Sequence, residues 1–598
     1  MRTQSDLLLR YLRPRWAALL LLLGALAGST VLQLLTPRVL GRFIDNALGG
    51  AGAAFLITLA LTYIGMATGL QLLSLASTYL GQNLAWQATN DLRGDLFDHV
   101  LRLGLPVHHR RTPGELIQRI DGDVGALAGF LSQFSVQILG NALLLAGVLA
   151  VLFGTDWRIG LVFFLFTLVT LWVFRSSRTM AVPAQKQNAE AKAQLMGFIE
   201  ERLGGLEEVR SNGAGEHVMQ GLFRLSRVRL RTIVKSYLMY AVRWSVTHTT
   251  FTVGNLLALG LGTLLFFQGR VSLGTVYLIY SYTDLLLTPL QEISNQMQDL
   301  QKATAGTERV LELFALMPEQ GAETRPGGGA AWRPGGGLPA RPSAGPAPLP
   351  PGPLGLELAN LTFRYDQSTP ALDGISLRLA PGRILGVIGR TGSGKSTLAR
   401  LLLRFYDPSG GEIRLGGQEI RAISPHDLRT RVALVTQEVQ LFQGTVRENV
   451  TIFDSAVPDE AITHALNEVG LGEWLGAQPA GLETRLGSGG AGLSAGQAQL
   501  LAFARVLLRD PGLIILDEAS SRLDPATERL LDQAMARLLQ GRTAILIAHR
   551  LATLERVDEI LVLEGGTVAE HGAQRLLADD PDSHYARLRR VGLGEVLA

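Results

Sequence analysis

The sequence contains no cysteine in its 598 residues. This absence excludes a disulfide, a thiolate metal site and a cysteine nucleophile. Because a cysteine peptidase needs such a nucleophile, an attached cysteine-peptidase domain is excluded as well. Charge is also scarce, because only 18% of the residues are charged whereas soluble domains average about a quarter. The net charge of +3 is small for this length and does not indicate the concentrated basic face of a nucleic-acid-binding protein. Length alone favours about four domains.

Long apolar runs are abundant in the first half, and hydrophobic residues make up 47% of the whole chain. Each run has about 17–27 residues, enough at about 1.5 Å per residue to cross a hydrocarbon layer of about 30 Å. We therefore predict six transmembrane helices. The candidate spans are residues 16–40, 53–79, 127–153, 157–173, 246–267 and 274–290.

The N-terminus places basic residues before the first apolar run, an order that a signal peptide also has. The run continues from Trp16 to about Leu35, which is too long for the apolar core of a signal peptide, and no clear small-residue cleavage site follows it. We therefore predict a retained helix preceded by cytoplasmic arginines. These are Arg2, Arg10, Arg13 and Arg15.

The connections are short after the first, third and fifth spans and run for dozens of residues after the second and fourth. The long connections carry most of the positive charge, which indicates that they and both termini are cytoplasmic. Their composition favours helices that continue beyond the membrane, turn and return. Their basic residues are Arg93, Arg102, Arg110, Arg111 and Arg119 in the first, and Arg202, Arg210, Arg224, Arg227, Arg229, Arg231 and Lys235 in the second.

Proline and glycine dominate residues 317–353, so this stretch cannot bury a core and is predicted to be a partly extended tether. Beyond it, short aliphatic runs alternate with helical stretches, a pattern typical of a buried, largely parallel sheet. The predicted domains are therefore 1–316, a linker over 317–353, and 354–598. The predicted strands are 384–388, 432–435, 513–516 and 544–548.

A glycine-rich segment between a strand and a helix matches the pattern GxxxxGK[ST] of a phosphate-binding loop. Glycines let backbone N–H groups turn towards phosphates, and the helix N-terminus adds partial positive charge. Lys395 would neutralise the β- and γ-phosphates, and Ser396 would reach Mg²⁺. The segment comprises Gly389, Arg390, Thr391, Gly392, Ser393, Gly394, Lys395, Ser396 and Thr397.

A second apolar strand ends in the carboxylates Asp517 and Glu518. Asp517 would hold Mg²⁺ directly or through water, and Glu518 would polarise the attacking water. Alone, such a strand end is more often structural. Together with the phosphate-binding loop it predicts a site for ATP hydrolysis.

With these motifs in hand, residues from about 355 to 598 resemble the nucleotide-binding domain of ATP-binding cassette (ABC) transporters. By this resemblance, Tyr365 stacks on adenine, although a strand-edge tyrosine alone would be unremarkable. Gln437 matches the glutamine that meets Mg²⁺ and faces the membrane domain. Asp524 lies in the D-loop match and His549 matches the switch histidine near the γ-phosphate.

The segment LSAGQ at 493–497 resembles the family's LSGGQ signature. In that family the signature binds the γ-phosphate of ATP held on the other cassette, so the resemblance assigns nucleotide contacts to Ser494, Gly496 and Gln497 and implies a dimer. The match departs at Ala495, where the family has glycine. With the chain's own catalytic motifs intact, this favours a heterodimer with one degenerate ATP site over a homodimer that tolerates alanine; both interpretations stay open. Further departures are Ala498, Leu500 and, just upstream, Ser488.

The whole chain resembles an exporter-type ABC half-transporter, with coupling helices around residues 108–112 and 210–217. The fold class predicted is an α-helical six-span transmembrane domain with long cytoplasmic extensions, followed by an α/β cassette with a phosphate-binding loop. The resemblance implies ATP and Mg²⁺ as cofactors, Lys395, Glu518 and His549 as catalytic residues, and export of a hydrophobic or amphipathic substrate across a bacterial inner membrane. The alternatives are a mainly regulatory ABC ATPase subunit and an importer of a chelate.

Polar side chains recur at steps of three and four along the sixth span, which places them on one helical face. Asp284 is costly inside a bilayer and should face a cavity or a partner. The face is either a polar wall of the substrate path or a hydrogen-bonded contact between helices, and His248 and Asn255 in the fifth span are weaker candidates of this type. Its residues are Tyr277, Tyr280, Asp284, Thr288, Gln291 and Asn295.

Overall fold

The structure is a computed structural model that describes residue 7 and residues 10–133, 138–318, 349–366, 369–487, 492–517, 525–548 and 554–591. The chain divides into two compact units. The helical unit comprises the described residues up to 101 and 113–316. The cassette unit comprises residues 102–112 and the described residues from 317 onwards. The domain boundaries at 316/317 and 353/354 stay predictions.

Long helices build the helical unit, and several are far longer than a bilayer requires. α2 has 49 residues, α7 has 48 and α9 has 53, whereas about 20 suffice to span. The prediction that helices continue beyond the membrane is therefore confirmed. The helices, with α3 assigned to the cassette unit, are α1 (Trp16–Leu48), α2 (Ala53–Leu101), α3 (Leu105–Arg110), α4 (Pro113–Ile117), α5 (Val124–Gln133), α6 (Leu139–Thr155), α7 (Trp157–Gly204), α8 (Leu206–Ser211), α9 (Gly215–Phe267) and α10 (Leu273–Ala315).

Five of the six predicted spans lie inside single helices, namely α1, α2, α7, α9 and α10. The span 127–153 covers parts of α5 and α6, with residues 134–137 outside the described residues. Within the described ranges, four helices are long and apolar enough to cross a membrane, and α6 is a shorter apolar helix. The count of six spans stays a prediction. The four are Arg10–Leu48, Ala53–Leu101, Trp157–Phe174 and Gly215–Phe267.

The core of the helical unit forms where α6, α7, α9 and α10 pack together. Phe163 of α7 and Tyr282 of α10 are fully buried there, and the Tyr282 hydroxyl donates to the carbonyl oxygen of Leu34 on α1 at 2.6 Å. This hydrogen bond satisfies the polar atom of a ring that is packed in the hydrophobic core.

A six-stranded sheet forms the centre of the cassette unit, in the order β12-β11-β3-β10-β9-β6. All of its pairs are parallel except β11 with β12, which confirms the predicted parallel sheet. A four-stranded antiparallel sheet has the order β2-β1-β4-β5, and β7 pairs with β8. The strands are β1 (Leu356–Phe363), β2 (Leu372–Leu379), β3 (Ile384–Ile388), β4 (Gly410–Leu415), β5 (Gln418–Glu419), β6 (Val432–Val435), β7 (Gly444–Thr445), β8 (Arg485–Leu486), β9 (Leu513–Asp517), β10 (Thr543–Ile547), β11 (Glu559–Glu564) and β12 (Thr567–Ala573).

Alternate residues of the central strands enter two separate hydrophobic cores, because successive side chains of a strand point to opposite faces. Ile514 and Leu516 of β9 pack in one core, and Leu513 and Ile515 pack in the other. Helices cover the sheet. They are α11 (Lys395–Leu402), α12 (Pro425–Arg431), α13 (Val446–Thr451), α14 (Asp459–Glu468), α15 (Gly472–Gly476), α16 (Ala495–Arg509), α17 (Pro525–Leu539), α18 (Gln574–Asp579) and α19 (His584–Val591).

Candidate nucleotide site

The glycine-rich loop leaves β3 and enters α11, the context that a phosphate-binding loop requires. Gly389, Gly392 and Gly394 have φ angles of 155°, 83° and 103°, which disfavour side chains. A Cβ on Gly394 would lie 2.4 Å from Cδ2 of Leu372. The glycines therefore serve both the loop conformation and its close packing.

Lys395, the first residue of α11, points back into this loop. Its Nζ donates to the carbonyl oxygen of Gly389 at 2.6 Å and to that of Arg390 at 3.1 Å. The residue is 7% exposed. The buried Oγ of Ser393 has no hydrogen-bond partner among the described residues. The buried ammonium of Lys395, the unpaired hydroxyl of Ser393 and the N-terminus of α11 together form a set of hydrogen-bond donors that fits the phosphates of ATP.

Tyr365 lies beside the same helix. Its hydroxyl is 3.1 Å from Oγ1 of Thr397 and accepts a hydrogen bond from Nη1 of Arg400 at 3.1 Å. The ring packs edge-on against Phe363 and Tyr406 and stays 42% exposed. An exposed aromatic ring next to the phosphate loop offers a stacking surface for a base.

Parallel pairing brings the expected Mg²⁺ ligands to the same edge of the sheet as the loop. Asp517 ends β9 opposite Ile547 of β10, and Ile547 in turn pairs with Val387 of β3. Gln437 follows the neighbouring β6 and is exposed, and Ser396 is exposed on α11. Mg²⁺ prefers one or two carboxylates plus phosphate oxygens, so one aspartate with a hydroxyl and an amide fits that ion.

Three predicted site residues, Glu518, Asp524 and His549, lie outside the described residues, as does Ser488. Their roles therefore stay predictions. The remaining loop residues Arg390 and Thr391 are exposed on the loop surface.

Two residues that sequence reasoning missed hold the loop after Gln437. Asn449 is fully buried, accepts from the backbone N–H of Phe442 at 2.9 Å and donates to the carbonyl oxygen of Phe442 at 2.9 Å. Arg505 on α16 donates to the carbonyl oxygens of Asn449 at 2.7 Å and Gln440 at 3.0 Å. Burial, with a smaller contribution from the charge of Arg509, lowers the pKa of Arg505 to about 10, so it remains a cation at neutral pH.

The signature segment forms the N-terminus of α16. Ser494 is the N-cap, and its Oγ accepts from the backbone N–H of Gln497 at 3.2 Å, while Oε1 of Gln497 accepts from the backbone N–H of Ser494 at 2.9 Å. This reciprocal capping box sets the direction of the helix. Ala495 is the first residue of α16, where a helical backbone accepts alanine without strain. Ala495 is exposed at the helix N-terminus, where a ligand of this helix would approach.

The short helix α3 occupies the position of the first predicted coupling helix. Within the cassette unit, the Tyr406 hydroxyl lies 2.9 Å from Nδ1 of His109, and the two rings stack with centroids 6.3 Å apart. Burial raises the pKa of the Tyr406 hydroxyl, with a smaller contribution from Tyr365. Tyr406 therefore contacts both Tyr365, which is expected to stack on adenine, and His109 of α3.

Comparison with known proteins agrees with these features over the whole chain. Residues 19–290 match the ABC transporter transmembrane region, and residues 372–521 match the ABC transporter family of cassette domains. The ATP-dependent lipid A-core flippase of Vibrio vulnificus (strain CMCP6) is 30% identical over 595 residues, which cover 97% of this chain and 95% of that protein. The flippase of the same name from Thiobacillus denitrificans is 31% identical, with 98% of this chain and 97% of that protein covered.

Solved structures give the same result. A bacterial Atm1-family ABC exporter with ATP bound is 25% identical and superimposes with a TM-score of 0.73, covering 98% of this chain and 97% of that one. A helical transmembrane domain and an ATPase cassette thus follow each other on one multi-pass membrane chain, as in these relatives. The chain belongs to the ABC transporter family, as an exporter-type half-transporter whose ATPase is coupled to transport.

Proposed function

We propose that the chain is the hydrolytically competent half of a two-chain exporter that moves a lipid or another amphipathic molecule out of the cytoplasm. The observation that carries the proposal is the caged Lys395 ammonium in a phosphate loop fused to a transmembrane domain. The names of the flippase relatives support a lipid-like substrate. The arginines of the long connections support cytoplasmic termini, and the bacterial relatives support a bacterial inner membrane as the location.

In the proposed site, Lys395 and the loop N–H groups of residues 389–397 hold the phosphates of ATP. Ser396, Gln437 and Asp517 hold Mg²⁺, which would supply charge neutralisation at the phosphates when bound. Glu518 polarises the attacking water, and His549 lies at the γ-phosphate. Tyr365 stacks on adenine, and Asp524 contributes from the D-loop.

The partner in this proposal is a second half-transporter of different sequence. Ser494, Gly496 and Gln497 of this chain contact the nucleotide held by the partner. The Cβ of Ala495 lies at the helix N-terminus that would meet that γ-phosphate, and a methyl group there narrows the space for it. The second nucleotide site is therefore the degenerate one, and the site of Lys395 is the active one.

The exposed face of α10 supports a polar substrate path. Asp284 is exposed in the protomer and makes no hydrogen bond or ion pair with a described side chain, and Tyr280 is 37% exposed. A carboxylate inside a membrane span is energetically costly unless it meets water or a polar ligand. The side chains of Thr288, Gln291 and Asn295 lie outside the described residues, and His248 is exposed beside Trp244 on α9.

The test is Glu518→Gln in the purified complex, reconstituted in vesicles with fluorescent lipids on one leaflet. We expect ATP to bind as before, because the phosphate loop is intact, and ATP turnover and lipid movement to fall together by about 100-fold or more, the size typical of a lost catalytic group. Unchanged turnover would contradict the assignment of Glu518. Turnover without movement of any lipid would instead favour the regulatory alternative.

A further inference from the structure

Among the described residues, the chain passes between its two units at three places: after residue 101, before residue 113 and after residue 316. These places are the C-terminal end of α2, the N-terminal end of α4 and the C-terminal end of α10. Any displacement of the cassette unit that is passed along the chain must travel through them. Whether they move separately or together therefore decides how much of the displacement reaches the membrane helices.

A bidentate ion pair joins two of the three connections inside the helical unit. Nε of Arg309 donates to Oδ2 of Asp123 at 2.8 Å, and Nη2 donates to Oδ1 at 2.6 Å. The Asp123 side chain is 4% exposed, whereas that of Arg309 is 45% exposed. Losing the guanidinium would leave a buried carboxylate uncompensated, so the pair resists separation of the two segments.

The backbone is shaped around this pair. A π-helical turn, Gln118–Asp123, lies between α4 and α5 and ends on the aspartate; such turns insert an extra residue and are frequent at functional positions. Opposite, Gly306 allows close approach, because a Cβ there would lie 3.4 Å from the Cβ of Asp123. Buried residues of α10 continue this contact row at Ala303, Thr307, Val310 and Leu313.

Further polar contacts bring in the third connection, α2. Nε2 of His99 near the end of α2 donates to the carbonyl oxygen of Leu313 at 3.0 Å. Arg93 of α2 pairs with Asp121 of the π-helical turn at 3.1 Å. Nη1 of Arg119 donates to the carbonyl oxygen of Arg309 at 3.2 Å. Each of the three helix ends is therefore held to at least one of the other two by a hydrogen bond or an ion pair.

We propose that the Asp123–Arg309 pair locks the three connections into one stem, defined by His99, residues 118–123 and residues 303–313, and that this stem sets how much transport each ATP drives. The proposal rests on the proposed export function. If the connections hinged independently, cassette movement would be absorbed at the stem. With the stem locked, the same movement reaches α2, α5 and α10 together. Asp123 and Arg309 act through these helices as positioning residues and touch neither ATP nor substrate.

The experiment exploits the absence of cysteine from the chain. The double variant Asp123→Cys/Gly306→Cys removes the ion pair and places two Cβ atoms close to the separation of about 3.5–4.5 Å that a disulfide requires. This chain contains no other thiol, so reduction and oxidation open and close one link within it. ATP turnover and transport are measured in vesicles holding the complete complex, under both conditions.

We expect the reduced variant to hydrolyse ATP at a rate within about twofold of the parent while transport per ATP falls about fivefold or more, the lower range of typical couplings between sites. Oxidation should restore transport per ATP. If the pair had a merely structural role, the reduced variant would lose ATP turnover and transport in parallel, and transport per ATP would not change. That result would overturn the proposal. An oxidised variant whose transport per ATP stays low, or which no longer transports, would also overturn it.

Three further variants keep the test decisive if the double variant does not fold. Arg309→Lys keeps the charge but not the bidentate geometry, so transport per ATP should fall less than in Arg309→Gln. Lys186→Gln removes the exposed Lys186–Glu190 pair on α7, where the two side chains are 77% and 60% exposed, and should change nothing. Equal values of transport per ATP in all three variants would overturn the proposal. A parent protein that moves no substrate would instead count against the proposed function and not against the role of the stem.

Discussion

Lys395 has a well-defined position in the cassette, because its ammonium is held by two carbonyl oxygens of its own loop. Phosphate oxygens would replace these carbonyls as stronger acceptors. We expect Lys395→Ala to lower ATP turnover by about 100-fold or more, as expected when one stabilising charge is lost from a phosphoryl-transfer site. Phosphate release by the purified complex measures this.

The matched control for this change is Lys186→Ala, since that side chain is 77% exposed. It should leave turnover unaltered. A Lys395→Ala protein that keeps more than about a tenth of the parent rate would show that the loop does not depend on this charge.

The loop residues around Lys395 were predictable because they are contiguous in the sequence and follow a strand. Asn449 and Arg505 were not, although they hold the backbone after Gln437 with directed hydrogen bonds. They lie 56 residues apart and match no local pattern. The only local sign for Asn449 is an asparagine between Glu448 and Val450, which does not separate a buried amide from an exposed one.

Two helices of the membrane domain meet at a clasp between the end of α1 and the start of α10. Oδ1 of Asp45 accepts from the backbone N–H of Gly274 at 2.7 Å, and Oδ2 accepts from the hydroxyl of Ser272 at 2.6 Å. A Cβ on Gly274 would lie 2.1 Å from the carbonyl oxygen of Gly41. We expect Gly274→Ala to destabilise the protein by about 1–3 kcal/mol, because two backbones must move apart.

Thermal unfolding of the detergent-purified protein measures this loss, with Gly24→Ala as the control, since no atom lies within 4 Å of a Cβ at Gly24. Equal unfolding temperatures for the two variants would refute the close approach of α1 and α10.

At the scale of the whole molecule, a heterodimer with one degenerate ATP site predicts that substitutions in the phosphate loop and in the signature segment of this chain affect ATP turnover differently. In the proposed heterodimer, Ser494 of this chain would serve the degenerate site, whereas Lys395 would serve the active one. In the purified complex, Ser494→Ala should therefore lower ATP turnover far less than Lys395→Ala does. In a homodimer both residues serve every site, and both changes would be severe.

Loss of an N-cap alone costs about 1 kcal/mol, so Thr445→Ala provides the control. Thr445 forms the same kind of capping box on α13 with Glu448. If Ser494→Ala and Lys395→Ala abolish turnover equally while Thr445→Ala does not, the pair is equal and the heterodimer is wrong.

The amino-acid sequence alone specified the apolar helices, the parallel sheet and the phosphate loop, because each depends on the spacing of neighbouring residues. It also determined the family, since the motifs stand in a fixed order. Contacts between distant segments are visible only in the folded molecule. They are the hydrogen bonds from Ser272 and Gly274 to Asp45, those from Arg505 to Gln440 and Asn449, and the Asp123–Arg309 pair. Arg309 lies 186 residues from Asp123; such a pair is set by how helices approach in space, and a single sequence carries no record of that approach.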